Sequence, residues 1–339
     1  MRIAVDVMGG DKAPDEIIAG ALKAAEVYKD MKLILVGKND MIIKKLRNNY
    51  PKKKDIFKIV NAPEKISMKD KPSMALKRKK NSSINIGTKM VKNKTADAFV
   101  SAGNTGAVMG AGVINIGRIS GIKRPSIATI YPSLTQKTLV LDGGANVDCK
   151  PENLKQFAIM GEIYSKNVLQ VRQPKIGLLN IGEEKEKGNK LTTASYTILK
   201  NERRISNFIG NVEGRDIFND RCNVIVCDGF TGNIVLKTTE GAVSFLMSKI
   251  KSTLKYNILT KLGALILNPF LNRLKNEIDY RKYGGAPLLG IKGVVIISHG
   301  SSDAEAIFNA IKVARETVEK KVVDSIEYKI NREGETNDT

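Results

Sequence analysis

The sequence predicts an open, doubly wound α/β/α sandwich with a mostly parallel sheet. Its apolar, β-branched segments are continuous, which is typical of strands buried on both faces of a parallel sheet. Helical patterns lie between several of these segments, in the order expected for this architecture. Turns of small residues follow many of the strands, as expected where a ligand binds at the carboxyl edge of an α/β sheet.

The strands are predicted, in chain order, at residues 2–8, 32–36, 57–61, 97–101, 126–131, 138–142, 175–180, 207–212, 224–228 and 293–298. The clearest helical segments are 15–29, 151–167 and 303–320. Ser302 and Glu305 have the spacing of a capping box, so we expect the last of these helices to start at Ser302. We expect residues 1–328 to form a single catalytic α/β/α domain and residues 329–339 a polar tail.

The composition is typical of a globular protein with an ample core, since 42% of the 339 residues are hydrophobic. No apolar run reaches the roughly 20 residues needed to span a bilayer, and the first residues do not resemble a signal peptide. Cys149, Cys222 and Cys227 lack the spacing of a metal site or a disulfide framework. We therefore expect a protein of the reducing cytoplasm without structural zinc.

The formal net charge of +21 has three interpretations. It reflects a genome that favours lysine codons, an acidic protein partner, or an anionic membrane surface. Nucleic acid is not expected as a partner, because the chain has no zinc finger and no aromatic residues interleaved with the basic ones.

Several predicted strands end in turns of Gly, Asn, Ser, Thr and Asp, at residues 6–11, 101–106, 142–146, 180–182 and 228–233. Glycine lets a ligand approach the backbone closely, and the carboxyl ends of parallel strands meet at one edge of the sheet. We therefore expect a composite anion site. The chain has no G-x-G-x-x-G, Walker A or G-x-S-x-G motif, and its single histidine excludes an H-E-x-x-H metal site.

These turns resemble the motifs of one family, the bacterial acyl-[acyl-carrier-protein]–phosphate acyltransferases. The resembling segments include 6–11 (Asp-Val-Met-Gly-Gly-Asp), 101–106 (Ser-Ala-Gly-Asn-Thr-Gly) and 228–233 (Asp-Gly-Phe-Thr-Gly-Asn). The others are 71–73 with 78–83, 142–151, 180–189, 210–215 and 283–290. Their number and order make the match specific. Gly143 departs from the pattern, since many members carry a larger residue there.

The resemblance implies an isopropylmalate-dehydrogenase-like α/β/α fold and a homodimer without a cofactor or metal. It implies the transfer of a fatty acyl group from acyl carrier protein to inorganic phosphate, which gives acyl phosphate for phospholipid synthesis. It also implies peripheral contact with an anionic membrane, where the next acyltransferase of the pathway is a further candidate partner.

Phosphate is already an anionic nucleophile, so the site needs positioning and aimed donors rather than an activated serine. The candidate catalytic residues are Asn104, Thr105, Lys187, Asn233 and His299. His299 would bind phosphate or protonate the departing sulfur; alternatively it is a structural residue. The candidate substrate-binding residues are Asp6, Gly9, Gly10, Asp11, Ser101, Gly103, Gly106, Asp142, Asn146, Glu184, Asp228, Gly229, Thr231, Gly232 and Lys237. Asp6 and Asp11 also suit Mg²⁺ as ligands, but capping and hydrogen bonding is the favoured interpretation.

Two surface segments are candidates for contact with larger partners. Arg78, Lys79 and Lys80 form a basic patch that either docks acidic acyl carrier protein or is a solvated face. The apolar, basic-flanked segment 248–283 is interpreted as a membrane anchor, with a dimer surface and ordinary core as alternatives. Its candidate membrane residues are Leu254, Ile258, Leu262, Leu265 and Ile266.

Two other functions compete with acyl transfer from the carrier protein. One is a phosphotransacetylase-like enzyme that uses acyl-CoA. The other is a non-catalytic scaffold that binds anionic lipid or nucleic acid, which the charge alone supports.

Overall fold

The computed structural model describes residues 1–53, 56–254, 263–264, 266–271 and 284–331. Its strands are β1 (Arg2–Asp6), β2 (Lys32–Gly37), β3 (Lys58–Asn61), β4 (Ala98–Ser101), β5 (Ser126–Ile127), β6 (Thr129–Pro132), β7 (Lys137–Leu141), β8 (Ile176–Leu179), β9 (Phe208–Val212), β10 (Val224–Val226), β11 (Ala286–Leu289) and β12 (Val294–Ile297).

Its α-helices are α1 (Asp15–Val27), α2 (Asn39–Asn49), α3 (Pro72–Arg78), α4 (Ser83–Lys92), α5 (Thr105–Ala111), α6 (Pro151–Asn167), α7 (Lys190–Asn201), α8 (Gly229–Leu254), α9 (Ala304–Glu319) and α10 (Val322–Asn331). A π-helical turn, Gly112–Ile116, continues α5. Short 3₁₀ helices lie at Pro51–Lys53 and Gly214–Phe218.

The strands form two sheets, and the predicted mostly parallel α/β class is confirmed. The larger sheet has the order β3-β2-β1-β4-β12-β11-β5, and in it only the pairs made by β11 are antiparallel. The smaller sheet has the order β6-β7-β10-β8-β9, and its antiparallel pair is β6 with β7. Strands such as β4 and β12 are buried along their whole length, which explains their continuous apolar sequences.

The two sheets meet where the sequence predicts a single strand at 126–131. Ala128 separates β5 from β6, and its N–H donates to the Pro287 carbonyl of β11 at 3.0 Å. The Gly143 N–H, just after β7, donates to the Ile127 carbonyl at 2.8 Å. The chain therefore passes from one sheet to the other without a long linker, which brings their carboxyl edges together.

Three sequence-based expectations need correction. The strand β11 was not expected, because Pro287 and flanking glycines obscure its pattern. Helix α9 is capped by Asp303 and not by Ser302, since the Asp303 side chain accepts from the Ala306 N–H at 2.9 Å. Helix α10 runs to Asn331, three residues into the segment expected to be a tail.

A buried ionic cluster holds α10 against α6. The carboxylate of Glu162 is fully buried and accepts hydrogen bonds from Lys166 at 2.6 Å, from Lys329 at 2.9 Å and from Ser206. Burial opposes ionisation of Glu162, but these hydrogen bonds outweigh it and lower its pKa. The last helix is thus fixed to the smaller sheet.

Among the residues that the structure describes, no helix combines the length and apolar character required to cross a bilayer. The predicted membrane residues Ile258, Leu262 and Leu265 lie outside the described residues, as does the segment 332–339 of the predicted tail.

Candidate active site

A cleft of about 500 Å³ opens where the carboxyl edges of the two sheets face each other. The segments that follow β1, β4 and β12 line it from the larger sheet, and the turn after β7 and the start of α8 line it from the smaller. Six of the predicted site residues meet there: Asp11, Thr105, Gly106, Asn233, Lys237 and His299. The prediction that distant turns form one composite site agrees with this arrangement.

The first two turns are joined by the buried carboxyl of Asp6. Its Oδ1 accepts from the N–H groups of Met8 at 2.9 Å and Gly9 at 3.1 Å, and its Oδ2 accepts from Ser101 Oγ at 2.7 Å. Ser101 Oγ in turn accepts from the Gly103 N–H at 3.0 Å. Burial raises the pKa of Asp6, although these hydrogen bonds offset part of that shift. Asp6, Gly9, Ser101 and Gly103 therefore shape the turns that carry the cleft residues.

The first turn also contacts the turn after β12. The Asp11 N–H donates to the Gly300 carbonyl at 2.8 Å. Gly10 adopts a φ of +98°, and a Cβ there would lie 3.1 Å from the same carbonyl oxygen. Glycine thus allows this contact, which holds exposed Asp11 at the cleft beside the His299 turn.

The Asn104 side chain is fully engaged in the architecture of the site. Its Oδ1 accepts from the Ala107 N–H at 3.0 Å and so caps α5. Its Nδ2 donates to the carbonyls of Ser67, Met68 and Asp70 at 3.1–3.3 Å. This contact brings the loop 67–70, with Met68, to the cleft. The expectation that Asn104 is itself a donor to the reacting groups is not supported by this geometry.

The start of α5 offers backbone donors. Asn104 satisfies Ala107 and Val108, but within the described residues the N–H groups of Thr105 and Gly106 have no acceptor. Such groups at a helix start favour an anion. A Cβ on Gly106 would lie 2.7 Å from Pro72 Cγ, so glycine is needed for the close packing of α3 on α5.

The buried carboxyl of Asp142 organises the turn after β7 in the smaller sheet, as the carboxyl of Asp6 organises the first turns of the larger sheet. Its Oδ1 accepts from the N–H groups of Ile127, Gly144 and Ala145 at 3.0–3.3 Å, and its Oδ2 accepts from the N–H and Nδ2 of Asn146 at 2.7 and 2.8 Å. The side chain is fully buried, and burial raises its pKa. Asp142 and Asn146 thus hold the framework of this turn, and neither residue lines the cleft.

Helix α8 begins against this frame. Asp228 caps it by accepting from the N–H and hydroxyl of Thr231 at 2.9 and 2.8 Å. The Gly229 N–H donates to the Asn146 carbonyl at 2.7 Å, and a Cβ on Gly232 would lie 1.9 Å from the Asp142 carbonyl oxygen. These six residues set the position of α8.

Asn233 and Lys237 lie one helical turn apart on α8 and line the cleft with exposed side chains. The Lys237 ammonium contacts Glu240 Oε2 at 2.9 Å. Asn233 faces the turn after β7, since a Cβ on Gly144 would lie 3.4 Å from Asn233 Cβ. Both side chains can donate to a bound anion.

His299 follows β12 at the opposite wall. Its Nδ1 lies 2.8 Å from Ser301 Oγ and accepts from the Ser301 N–H at 3.1 Å. The Ser301 N–H donor at Nδ1 favours the neutral tautomer that carries its proton on Nε2. His299 is therefore suited to donate a hydrogen bond from Nε2.

Glu184 and Lys187 are not among the residues that line the cleft. They lie in the exposed loop after β8, where Asn180 Nδ2 donates to the Lys187 carbonyl at 3.0 Å and Asn211 Nδ2 donates to the Glu184 carbonyl at 2.8 Å. The structure therefore does not place these two predicted residues beside Asn233 and His299.

Sequence reasoning missed one side of the cleft. Apolar side chains from both sheets, α5 and α8 form this wall: Met109, Ile127, Ile130, Leu236, Ala286 and Ile297. Ser298 and Ser302 also line the cleft. Their only signal in the sequence is that they flank His299, whereas the apolar residues look like ordinary core positions.

The cysteines are poor nucleophiles in this structure. Burial raises the pKa of Cys149 to about 11 and that of Cys222 to about 12, and it raises the pKa of Cys227 well above its usual value. A thiol is reactive as the thiolate. None of the three cysteines lines the cleft, so the structure places no cysteine nucleophile there.

No group of three or more His, Cys, Asp or Glu side chains is placed to hold a metal ion in the described part of the chain. The oxygens of Asp6 accept from amides and a hydroxyl, as the favoured interpretation of that residue expects.

The chain has a mostly parallel α/β fold, and its cleft joins polar donors to an apolar wall. The profile of the fatty acid synthesis protein family matches residues 1–325, and the chain belongs to this family. It is 58% identical over 335 residues to a phosphate acyltransferase of Halothermothrix orenii, covering 99% of this chain and 100% of that protein. A phosphate acyltransferase of Desulfitobacterium hafniense is 49% identical over 334 residues. The alignment covers 98% of this chain and 98% of that protein. The chain is thus an enzyme of the phosphate acyltransferase type.

Two solved structures with a similar fold are much more distant in sequence than these relatives. A phosphotransacetylase from Streptococcus pyogenes superposes with a TM-score of 0.62 at 16% identity, over 96% of this chain and 94% of that one. A branched-chain phosphotransacylase from Enterococcus faecalis gives a TM-score of 0.59 at 12% identity, over 94% and 99% of the two chains. At such identities the likeness concerns the fold alone.

Proposed function

We propose that this enzyme transfers a fatty acyl group from acyl carrier protein to inorganic phosphate. The products are acyl phosphate, for phospholipid synthesis, and the free carrier. The supporting observation is that one cleft joins unpaired donors at the start of α5 to an apolar wall. The donors suit a small anion, and the wall suits a fatty chain.

In the proposed reaction, phosphate lies between the start of α5 and the Asn233 and His299 side chains. One of its oxygens attacks the thioester carbonyl carbon, and the new C–O bond gives a tetrahedral oxyanion. The C–S bond then breaks, and the carrier thiolate leaves with the electron pair and is protonated by solvent. Donors already aimed at the oxyanion lower the barrier, typically by about 2.7–4 kcal/mol for each donor.

The proposal is tested by incubating the purified protein with palmitoyl carrier protein and labelled phosphate. We expect free carrier thiol and labelled acyl phosphate to form in equal amounts, and only when phosphate is present. Release of thiol without incorporation of label would indicate hydrolysis and would contradict the proposal.

Acyl-CoA is the competing acyl donor. This alternative is considered because the fold resembles that of a phosphotransacetylase. The same assay with palmitoyl-CoA and acetyl-CoA separates the two. A kcat/KM for either CoA ester that equals or exceeds that for the carrier thioester would favour this alternative.

We also propose that acyl carrier protein docks on α3, beside the cleft. Arg78 and Lys80 are exposed there, and half-exposed Met74 lies on the same helix. Lys79 differs, since its ammonium contacts Asp70 Oδ2 at 2.5 Å and donates to the Lys65 carbonyl at 2.9 Å. Lys79 therefore supports the loop that carries Met68, and the docking charges are assigned to Arg78 and Lys80.

Reversing these two charges, in the variant Arg78→Glu with Lys80→Glu, is expected to raise the KM for acyl carrier protein. The expected rise is about three- to tenfold at low salt and smaller at high salt, because exposed charges are screened. Steady-state kinetics at two ionic strengths measure it. The matched control, Lys200→Glu with Arg203→Glu, changes the same charge at the far end of α7 and should leave the KM unaltered. Equal effects of the two pairs would contradict docking on α3.

Homodimer formation and membrane contact are proposed for the apolar surface of α8 and the segment that follows it. Within α8 only Gly229 and Gly232 are buried, whereas Phe245 and Leu246 are 60% and 57% exposed. An exposed apolar surface of this kind is typical of an interaction site. We assign Phe245 and Leu246 to contact with a second copy. Ile266 and Phe270, which are 74% and 69% exposed, are assigned to contact with lipid.

These assignments predict different defects. The variant Phe245→Glu with Leu246→Glu is expected to sediment as a monomer. The variant Ile266→Glu with Phe270→Glu is expected to remain dimeric but to lose co-sedimentation with anionic vesicles. A monomeric wild type, or vesicle binding that survives the second variant, would refute the respective assignment.

The remaining partners follow from the same proposal. The enzyme would work in the cytoplasm at the inner membrane surface, where the next acyltransferase can collect the acyl phosphate. The proposal includes no nucleic acid partner.

A further inference from the structure

Ser298 ends β12 and lines the cleft between Ile297 and His299. Its side chain is buried, with 3% of the residue exposed, and its Oγ has no hydrogen-bond partner within the described residues. A buried hydroxyl without a partner lowers the stability of a protein, so native structures rarely keep one without a reason.

The surroundings of Ser298 keep its hydroxyl available. The neighbouring hydroxyls of Ser101 and Ser301 are engaged with Asp6 and His299. Gly285, which also lines the cleft, would place a Cβ only 3.0 Å from Ser298 Oγ, so any larger residue there would cover the hydroxyl.

The chemistry of this hydroxyl fits a ligand-binding role and not that of a nucleophile. A serine nucleophile needs a base to take its proton. The Nδ1 of His299 already accepts from Ser301, and its Nε2 carries the proton in the favoured tautomer. A neutral hydroxyl can, however, donate to an anionic oxygen, and such charge-assisted bonds are the stronger kind.

We infer that Ser298 is a phosphate-binding residue and that its Oγ–H donates to an oxygen of the bound inorganic phosphate. This inference rests on the proposed function, and it adds a ligand from the wall opposite α8. Phosphate then supplies the hydrogen-bond partner that the Ser298 hydroxyl lacks within the described residues.

The test compares Ser298→Ala with Ser126→Ala. Among the residues that the structure describes, the Ser126 hydroxyl is also buried without a hydrogen-bond partner, but Ser126 does not line the cleft. We expect Ser298→Ala to raise the KM for phosphate at least about tenfold, in line with the loss of a hydrogen bond to a charged group. We also expect inorganic phosphate to raise the melting temperature of wild type and of Ser126→Ala, but to raise that of Ser298→Ala much less.

Melting without phosphate provides the second readout. Neither variant should melt below wild type, because each removes a hydroxyl that has no hydrogen-bond partner in the described part of the chain. A large fall for Ser298→Ala would show that the hydroxyl is bonded within the unliganded chain and would overturn the inference. An unchanged phosphate KM and thermal shift would overturn it too, while leaving the proposed function intact. Failure of wild type to bind phosphate or to turn over would instead reject both.

Discussion

Replacing Asp142 by Ala is expected to reduce kcat/KM at least about 100-fold and to destabilise the protein by about 3–5 kcal/mol. The Asp142 carboxyl accepts five hydrogen bonds in a fully buried position. Its removal leaves those donors unpaired, and each buried unpaired group costs free energy. Because Asn146 also holds the start of α8, the loss spreads to Asn233 and Lys237 in the cleft.

Two comparisons isolate this effect. Asp148→Ala removes an exposed carboxylate from the same turn and should change neither activity nor the midpoint of urea unfolding appreciably. Asp142→Asn keeps the size of the side chain but presents an NH₂ group to N–H donors. We therefore expect its activity and its unfolding midpoint to lie between those of wild type and of Asp142→Ala. If Asp142→Ala unfolded like wild type and kept its activity, the Asp142 carboxyl would not be what positions the turn after β7 and the start of α8.

The fold was largely predictable because burial on both faces leaves a simple pattern. The continuous apolar runs of β4 and β12 are strands, and α6 spans the predicted residues 151–167. The misses occur where local signals conflict. Pro287 argues against a strand, yet it pairs with Ile296 at the antiparallel position of β11. Ser302 and Asp303 are both good caps, and only the geometry selects Asp303.

The site was less predictable, because residue type does not reveal which polar groups satisfy each other. The turns do meet, and Thr105, Asn233 and His299 line one cleft. The acidic residues, however, accept from partners across the fold: Asp6 from Ser101, for example, 95 residues away. Sequence patterns carry no information on such pairings. These hydrogen-bond pairings distinguish the framework residues from the residues that are free to bind a ligand.

The same limit applies to the apolar wall. Ile127 and Ile130 belong to strands that read as core, and Leu236 belongs to a helix whose apolar residues look like a packed face. They become cleft residues because Ala128 divides one apolar run between two sheets, so that a gap opens where a single sheet would have closed. The sequence of this run does not show the division.

Replacing Gly232 by Ala is expected to reduce kcat/KM about 100-fold with only a modest loss of stability, about 1–3 kcal/mol. The new Cβ would lie 1.9 Å from the Asp142 carbonyl oxygen and 3.2 Å from Cys227 Sγ, so backbone must move. Since only Gly229 and Gly232 of α8 are buried, the helix can shift outward without disturbing much core. That shift relieves the clash but displaces Asn233 and Lys237 from the cleft.

Gly241→Ala on the same helix is the matched control, because a Cβ there meets nothing within 4 Å. Alanine favours a helix over glycine by up to about 1 kcal/mol, so this variant should be as stable as wild type or more stable, with full activity. Its oligomeric state is checked by sedimentation, since α8 is the proposed dimer surface. The test is a comparison of kcat/KM and of the unfolding midpoint between Gly232→Ala and Gly241→Ala. If Gly232→Ala kept wild-type kcat/KM, the contact between α8 and the Asp142 turn would not set the reactive geometry, and Asn233 would lose its assigned place beside phosphate.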